Sequence, residues 1–466
     1  MRVEFACCFQ RDRHDVRGEK RDLVDAAHAV NRNFFDEQFG DLLLDGLFNR
    51  IRILHDFAYL GCCCGFHYLS TILKWSLSGY RQRRKYGKKI CFKGDIVKTK
   101  AAVLWEVNAP WSVEEIELDA PGPNEVLVKM AASGLCHSDE HVVTGDLPFE
   151  LPMVGGHEGA GVVQQVGANV SWLAPGDHVV FGFIPSCGRC VSCSTGHQNL
   201  CDLGAYLGSG KQISDQTSRH HAGGKDLGVM CLLGTFAQHT VVHEASCIKI
   251  EKDVPLDRAC LLGCGVVTGW GSSVYAAEVK PGDTVVVVGV GGIGANAIQG
   301  ARIAGAKRII AIDPIEFKRE KAMEFGATHT ANSMSEAVPL LQELTRGAMA
   351  NKVVMTMGIG SGAVIHEAMA LTAKGGRVVV TNIHPAMEFG ASISLLDMTL
   401  MEKQLVGSLF GSGNPRSDIP KLLDLYREGQ LDLDGLVTRT YSLSDINEGY
   451  RAMRDGENIR GVIKYD

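Results

Sequence analysis

The first part of the chain lacks proline. All 14 prolines among the 466 residues stand at Pro110 or later, and only 8 of the 54 glycines precede residue 97. Charge changes sign at the same point. Residues 1–96 hold 17 Lys and Arg against 12 Asp and Glu, whereas residues 97–466 have a net charge of −11. These shifts predict a boundary near Val97.

The chain also lacks the excess of positive charge that is typical of nucleic-acid-binding proteins. Its net charge is −6, with 45% hydrophobic and 21% charged residues. Such values exclude fibrous, collagen-like and wholly disordered classes. Because an acidic chain does not neutralise phosphates well, we expect no nucleic-acid partner.

A secretory signal is missing, since Arg2, Glu4 and Arg11 are not followed by an apolar core. The most apolar run, 57–77, contains His67 and Lys74 and is a poor membrane span, although the basic residues after it keep an anchor open as an alternative. We expect a cytoplasmic protein that makes no membrane contact. Its cysteines are then thiols or metal ligands rather than disulfides.

Residues 1–96 carry no chemistry that we can identify. The segment 97–103 resembles the first strand of a complete domain, and a valine at position 97 is what an alternative start codon would give. We therefore expect residues 1–96 to be a mis-assigned or dispensable extension.

Residues 97–466 show two different patterns of predicted secondary structure, which together indicate an α/β protein. Short strands separated by glycine and proline fill 97–265, as in a barrel-like β domain. In 266–407, apolar strands such as 284–288 and 308–312 alternate with helices, which predicts a doubly wound parallel sheet. Residues 408–466 leave that sheet, and we expect them to complete the β domain.

A glycine-rich loop follows the strand at 284–288. Gly289, Gly291 and Gly294 fit the pattern G-x-G-x-x-G between a strand and a helix, where a dinucleotide pyrophosphate binds at a helix N-terminus. Asp313 ends the next strand, where a carboxylate accepts hydrogen bonds from the adenosine ribose and repels a 2′-phosphate. The pattern therefore predicts NAD rather than NADP.

Four cysteines form a compact group with the spacing C-x2-C-x2-C-x7-C, namely Cys187, Cys190, Cys193 and Cys201. Four thiolates can close a tetrahedron around zinc and leave no open position, which predicts a structural site. An iron–sulfur cluster is the alternative.

Three further candidate ligands are scattered along the chain. Cys136, His157 and Cys264 each stand close to glycine, where backbone can crowd a site. Two thiolates and one imidazole make an open three-ligand site, as catalytic zinc requires. Taken singly, each residue is more often a buried thiol or a core histidine.

Together these motifs resemble the zinc-containing medium-chain alcohol dehydrogenases over the whole of 97–466. The matching segments are 136–139, 155–158, the four-cysteine loop, 263–265, 289–294 and 458–461. The segments 185–188 and 414–420 are most similar to a bacterial branch, the nitroso-dye-dependent (NDMA-dependent) alcohol dehydrogenases, some of which hold their nicotinamide tightly. The resemblance implies a GroES-like β-barrel catalytic domain (97–265, completed by 408–466) and a Rossmann NAD-binding domain (266–407).

The resemblance also implies roles for individual residues. Cys136, His157 and Cys264 would bind a catalytic zinc with Glu158 behind it, and the four-cysteine loop would bind a second zinc. Ser138 would take the alcohol proton and pass it through the cofactor ribose to His141. Leu147 and Phe183 would line the substrate pocket. The implied cofactor contacts are His137, Thr268, Gly289, Gly291, Gly292, Ile293, Gly294, Asp313, Lys318 and Arg460.

One of these positions differs from many relatives. His137 stands where they carry arginine near the pyrophosphate. Because histidine titrates near neutrality, we expect cofactor affinity to depend on pH in that range.

The implied activity is the reversible oxidation of alcohols to aldehydes or ketones with hydride transfer to NAD, by a homo-oligomer (dimer or tetramer). An alternative is oxidation of a formaldehyde–thiol adduct by the same chemistry. It would need a cationic patch at the pocket mouth, for which Arg219, His220, His221 and Lys225 of a long loop are candidates. A non-catalytic zinc-ribbon binding module is a third hypothesis, but it accounts only for the four-cysteine loop.

Overall fold

A computed structural model describes residues 96–466, apart from residue 359. The expectations for residues 1–95, including the apolar run at 57–77, lie outside the described residues. The strands, numbered in chain order, are β1 (Val97–Leu104), β2 (Ser112–Leu118), β3 (Glu125–Gly134), β4 (Met153–Val154), β5 (Glu158–Val166), β6 (His178–Phe181), β7 (His220–Ala222), β8 (Lys225–Val229), β9 (His239–His243), β10 (Cys247–Ile250), β11 (Thr284–Val288), β12 (Arg308–Ile312), β13 (His329–Ala331), β14 (Ala350–Met355), β15 (Thr372–Val380), β16 (Gln404–Gly407), β17 (Val437–Tyr441) and β18 (Arg460–Lys464).

The α-helices are α1 (His137–Val143), α2 (Val191–Ser194), α3 (Leu256–Ala259), α4 (Gly265–Gly271), α5 (Gly292–Ile303), α6 (Glu316–Glu324), α7 (Met334–Thr345), α8 (Gly362–Ala370), α9 (Leu395–Leu400), α10 (Pro415–Arg427) and α11 (Ile446–Arg454). Local chemistry explains where several of them begin. For example, Asn414 caps α10 by accepting a hydrogen bond from Ser417 N, and Pro415 occupies the first turn, where its missing N–H costs nothing.

A small closed barrel is formed by β1, β2, β7, β8 and β4. Strand β1 pairs antiparallel with β2, with Thr99 opposite Ile116. His220, His221 and Lys225, which we expected to lie in a long loop, belong to β7 and β8, which complete this barrel. The loop expectation was therefore wrong for these residues.

A second sheet has the order β10-β6-β5-β3-β18-β17, with β9 pairing on β3. The C-terminal strand β18 runs antiparallel to β3 and places Val462 opposite Gly134. The end of the chain therefore returns to a sheet whose other strands, apart from β17, lie between residues 125 and 250.

The third sheet is parallel and has the order β13-β12-β11-β14-β15-β16. Strand β11 is buried at every position. Val285 and Val287 pack in one apolar core with Ile298 of α5, whereas Val286 and Val288 pack in another core that includes helices α7 and α8. Alternate side chains thus face helices on opposite sides, which confirms the doubly wound sheet. The boundaries at 265/266 and 407/408 stay predictions.

Within residues 96–466 no single helix is long and apolar enough to cross a membrane. One bent pair, 256–263 with 265–276, meets the length and composition requirements only when its two helices are taken together.

Candidate active site

A cavity of about 610 Å³ opens at the carboxyl ends of β11, β12 and β14. In a doubly wound sheet, ligands bind at this edge, where the strand order reverses. Residues predicted for metal, cofactor, proton transfer and substrate line it together: Cys136, His137, Ser138, His141, Leu147, His157, Phe183, Cys264, Thr268, Gly289, Gly291, Gly292, Ile293, Asp313, Lys318 and Arg460. Glu158 and Gly294 do not line it, and neither do the four cysteines of the compact group.

The scattered ligand set converges in the fold. Ligand atoms of Cys136, His157, Glu158 and Cys264 all lie within 4.8 Å of one another, and all four residues are buried. They come from the end of β3, the start of β5 and the start of α4, so 128 residues of chain separate the first from the last. Burial and convergence of thiols, an imidazole and a carboxylate suit a metal ion.

The imidazole of His157 is oriented for this purpose. Its Nδ1 lies 3.0 Å from Asp139 Oδ2, and neither ring nitrogen, both of which are buried, makes a well-aligned hydrogen bond among the described residues. A buried ring nitrogen without a partner is costly unless an ion binds to it, and a carboxylate on the other nitrogen is the usual support for a metal-binding histidine. A hydrogen bond from Cys264 and the neighbouring His157 hold the pKa of the Cys136 thiol well below its ordinary value. These residues fit zinc.

Glu158 lies against the metal ligands with a counter-ion behind it. Its carboxylate accepts hydrogen bonds from Arg460 Nη2 and, at 3.1 Å, from Gly265 N. Burial raises the pKa of Glu158 to about 7 in spite of Arg460. The predicted place of this residue next to the metal site agrees with these contacts.

The four cysteines of the compact group also come together, with their sulfur atoms within 4.8 Å of one another. Cys187 Sγ lies 3.9 Å from Cys193 Sγ, and Cys190 Sγ lies 3.9 Å from Cys201 Sγ. Although burial opposes it, hydrogen bonds from the backbone N–H groups of Arg189 and Cys190 lower the pKa of Cys187 to about 6. Such N–H···S bonds stabilise thiolates, so the group suits a metal with four sulfur ligands.

The glycine-rich loop leaves room for a dinucleotide. Gly289 has a φ of +92°, which favours glycine, and a Cβ on Gly294 would collide with the carbonyl oxygen of Gly289. Gly291 faces open space, at the N-terminus of α5, where a phosphate is stabilised. Thr268, whose Oγ1 is buried and without a partner in the described part of the chain, lines the same cavity.

Asp313 ties this loop to the next strand. Its carboxylate accepts hydrogen bonds from Val290 N at 2.8 Å and from Ile315 N at 3.0 Å. The residue is 5% exposed and lines the cavity. The carboxylate is thus held at the end of β12, where a ribose would lie.

The residues predicted to transfer the proton are both present in the cavity wall. Ser138 Oγ lies 3.6 Å from Cys136 Sγ. The His141 ring is buried between Asp146 Oδ2, 3.1 Å from Nδ1, and the carbonyl oxygen of Gly358, 3.1 Å from Nε2. Because Gly358 follows β14, this histidine connects the loop after β14 to helix α1.

His137 behaves differently from our expectation. Burial lowers its pKa to about 4, and its ring lies against the backbone of Gly358. The side chain is therefore neutral well below pH 7, and the expected titration near neutrality was wrong.

The predicted pocket residues Leu147 and Phe183 have apolar neighbours that sequence reasoning missed. The Phe183 ring centroid lies 5.9 Å from that of His157 and 4.7 Å from that of Phe410. Further missed residues in the cavity wall are Phe149, Met230, Cys231, Leu409 and Phe410. They stand in irregular segments, where no periodic pattern points to a shared wall.

The cationic patch proposed for a thiol adduct does not form. Arg219 is buried and makes two hydrogen bonds, of 2.8 and 2.9 Å, to the Glu125 carboxylate. Burial lowers the pKa of His220 to about 3, so it is neutral. His221 bridges two aspartates and Lys225 lies over an indole ring. None of the four lines the cavity.

Comparisons with known proteins agree with this geometry. The model of the alcohol dehydrogenase GroES-like domain matches residues 122–252, and that of the zinc-binding dehydrogenase matches residues 292–428. Alcohol dehydrogenase B of Mycobacterium tuberculosis is 50% identical over 370 residues, which are 79% of this chain and 99% of the relative. The NDMA-dependent alcohol dehydrogenase of Amycolatopsis methanolica is 50% identical over 369 residues, with the same coverage. The crystal structure of benzyl alcohol dehydrogenase from Acinetobacter calcoaceticus matches with a TM-score of 0.72 at 31% identity, covering 79% of this chain and 100% of that one.

Proposed function

This chain belongs to the zinc-containing medium-chain alcohol dehydrogenases and is an alcohol-oxidising enzyme, and we propose that it uses NAD and two zinc ions per chain. The reaction is the reversible oxidation of an alcohol to an aldehyde or ketone. The observation that carries the proposal is the buried set Cys136, His157 and Cys264 at the end of a cavity that also holds the glycine-rich loop.

The proposed mechanism assigns work to the residues of the cavity. When bound, zinc supplies a Lewis acid that lowers the pKa of the alcohol hydroxyl, and the nicotinamide supplies a hydride acceptor. Ser138 takes the hydroxyl proton, since it is the hydroxyl beside Cys136. Asp139 keeps His157 in the orientation that binds metal. The apolar wall around Phe183 excludes water from the hydride path.

His141 is the next proton carrier in this proposal. Asp146 and the Gly358 carbonyl oxygen hold its two ring nitrogens. A ring held by a carboxylate can accept a proton at one nitrogen while its orientation is kept. Both partners are hydrogen-bond acceptors, so a neutral ring donates to only one of them. In this proposal the contact between Nε2 and the Gly358 carbonyl oxygen opens when the cofactor binds, and this nitrogen then takes up the proton and passes it to water.

NAD is the proposed cofactor because Asp313 offers a carboxylate to the ribose hydroxyls. The neighbouring Lys318 also lines the cavity and would contact the same ribose. A 2′-phosphate would face the Asp313 charge in a site with little exposure to water, where repulsion is weakly screened.

We also propose a homo-oligomer that works in the cytoplasm. Met387, Phe389, Leu395, Leu396 and Leu400 are 66–86% exposed. They precede β16, the last strand of the parallel sheet. An exposed apolar patch beside a sheet edge suits pairing with a second copy of the chain.

The state of the cysteines supports the proposed location. The nine described cysteines are free thiols, and clustered free thiols suit a reducing compartment.

A panel of alcohols tests the proposal. The purified protein is assayed with free NAD, with NADP, and with a nitroso dye as acceptor without added cofactor, and metal content is measured on the same sample. We expect oxidation of simple alcohols with NAD and two zinc ions per chain. Activity confined to a formaldehyde–thiol adduct, preference for NADP, or iron in place of zinc would contradict it.

A further inference from the structure

The segment 408–413 contacts both the cavity and the four-cysteine loop and has an unusual backbone. Leu409 and Phe410 line the cavity. Phe410, Gly411 and Ser412 have φ values of 55°, 64° and 56° in succession. Left-handed backbone at a phenylalanine is strained, so this conformation persists only where neighbouring groups hold it.

One of the groups that hold it comes from the four-cysteine loop. The carbonyl oxygen of Leu409 accepts hydrogen bonds from Ser412 N and from Asn199 Nδ2, each at 3.0 Å. Asn199 is 4% exposed and stands two residues before Cys201. Its Oδ1 is buried without a partner in the described part of the chain. The hydrogen bond from Nδ2 to the Leu409 carbonyl oxygen is therefore the contact that the buried Asn199 side chain makes with this segment.

A second contact joins the same two segments. The Phe183 ring meets the Phe410 ring edge-on, with centroids 4.7 Å apart. Phe183 also packs against the cluster of Ile184, Cys193 and Cys201. The four-cysteine loop thus supports the cavity wall through one hydrogen bond and one aromatic contact.

We propose that Asn199 is a positioning residue for substrate recognition, which fixes the Leu409–Phe410 wall and so determines how well larger alcohols fit. The inference rests on the proposed function, since it concerns the outer part of the same alcohol pocket. The four-cysteine loop then has a second role besides holding its own conformation. Through Asn199 it fixes the position of Leu409 and Phe410, and thereby the choice of substrate.

The test replaces Asn199 by leucine, which has nearly the same shape and cannot donate a hydrogen bond. Removing a donor together with its unpartnered oxygen is tolerated well when the shape is kept. KM and kcat are measured for ethanol, whose two carbon atoms fill little of the cavity, and for benzyl alcohol, whose ring we expect to reach Leu409 and Phe410. We expect the KM for benzyl alcohol to rise roughly three- to tenfold, as loss of one hydrogen bond gives, while KM for ethanol and both kcat values stay within about twofold.

Thr195→Ala is the matched control, since the Thr195 side chain bonds only within the same loop. Metal content and Tm are measured on all variants. An equal change for both alcohols, no change for either, or a lower Tm with an unaltered KM ratio would overturn the inference. If Asn199→Leu does not fold, Asn199→Ser is judged by the same ratio. A parent enzyme that oxidises neither alcohol would instead contradict the proposed function.

Discussion

Asp313 shows how much a single side chain contributes at the cofactor site. Its carboxylate is already bonded to Val290 N and Ile315 N. It therefore orders the glycine-rich loop and also offers acceptors to a ribose. Both contributions disappear with the carboxylate.

Asp313→Ala should raise the KM for NAD roughly ten- to a hundredfold and narrow the preference for NAD over NADP, because charged hydrogen bonds are lost together with the repulsion of a 2′-phosphate. Asp313→Asn, which keeps one acceptor, should have a smaller effect. The measurement is kcat/KM for both cofactors. Glu316→Ala, which removes an exposed carboxylate outside the cavity, is the control. A cofactor ratio unmoved by Asp313→Ala would show that this carboxylate does not meet the ribose.

His220 provides a second prediction at the residue scale. Burial lowers its pKa to about 3 from an ordinary value of 6.5. As pH falls below about 6.5, the unfolded chain takes up this proton and the folded chain does not. Stability therefore decreases on acidification, by about 2 kcal/mol between neutrality and pH 5.

His220→Gln should remove that contribution, so its free energy of unfolding should fall less than that of the parent between pH 7 and pH 5. The measurement is denaturant unfolding at several pH values. Activity at neutral pH serves as the control, since His220 lies outside the cavity. Equal pH slopes in parent and variant would disprove this assignment.

At the scale of elements, sequence reasoning succeeded where the signal was periodic or local. The apolar runs at 284–288 and 308–312 became β11 and β12 with the expected bounds. Strands β7 and β8 were missed because they have only 3 and 5 residues and carry His, Lys and Asp. Their place is determined by pairing with distant β2 and β4, which local sequence does not encode.

In the candidate site, too, the residues that are close in sequence were easier to predict than those that are far apart. The glycine-rich loop and the four cysteines have local spacing, whereas Cys136, His157 and Cys264 were grouped through a family resemblance. The wall formed by Leu409 and Phe410 was missed, because one of its contacts, the hydrogen bond from Asn199 to Leu409, joins residues that are 210 positions apart.

The two ligand groups should respond differently to substitution. Cys264→Ser should abolish activity and leave Tm nearly unchanged, because it opens the site at the cavity. Cys190→Ser should lower Tm by roughly 5 °C or more, since a structural metal contributes folding free energy. Metal analysis, activity and thermal unfolding measure this.

Cys247→Ala is the matched control, since Cys247 is a buried thiol outside both groups. It should keep both metals and full activity. Full activity with only one zinc per chain would contradict the assignment of two sites.

For the whole molecule, the exposed apolar residues before β16 predict self-association. Phe389→Glu combined with Leu396→Glu should shift the protein to monomers, because charge opposes burial of this surface. Light scattering after size exclusion measures the mass. Met323→Glu, at an exposed apolar residue on α6, should leave the mass of the assembly unchanged. A parent that is already monomeric would contradict the proposed oligomer.

The return of β18 to β3 determines when the protein becomes complete during synthesis. The six strands of the parallel sheet lie between residues 284 and 407, so that sheet can assemble while the last 59 residues are still being made. Strand β18 brings Arg460 to the Glu158 carboxylate. A nascent chain that has not yet reached residue 460 therefore lacks the counter-ion of this carboxylate, which lies beside the metal ligands.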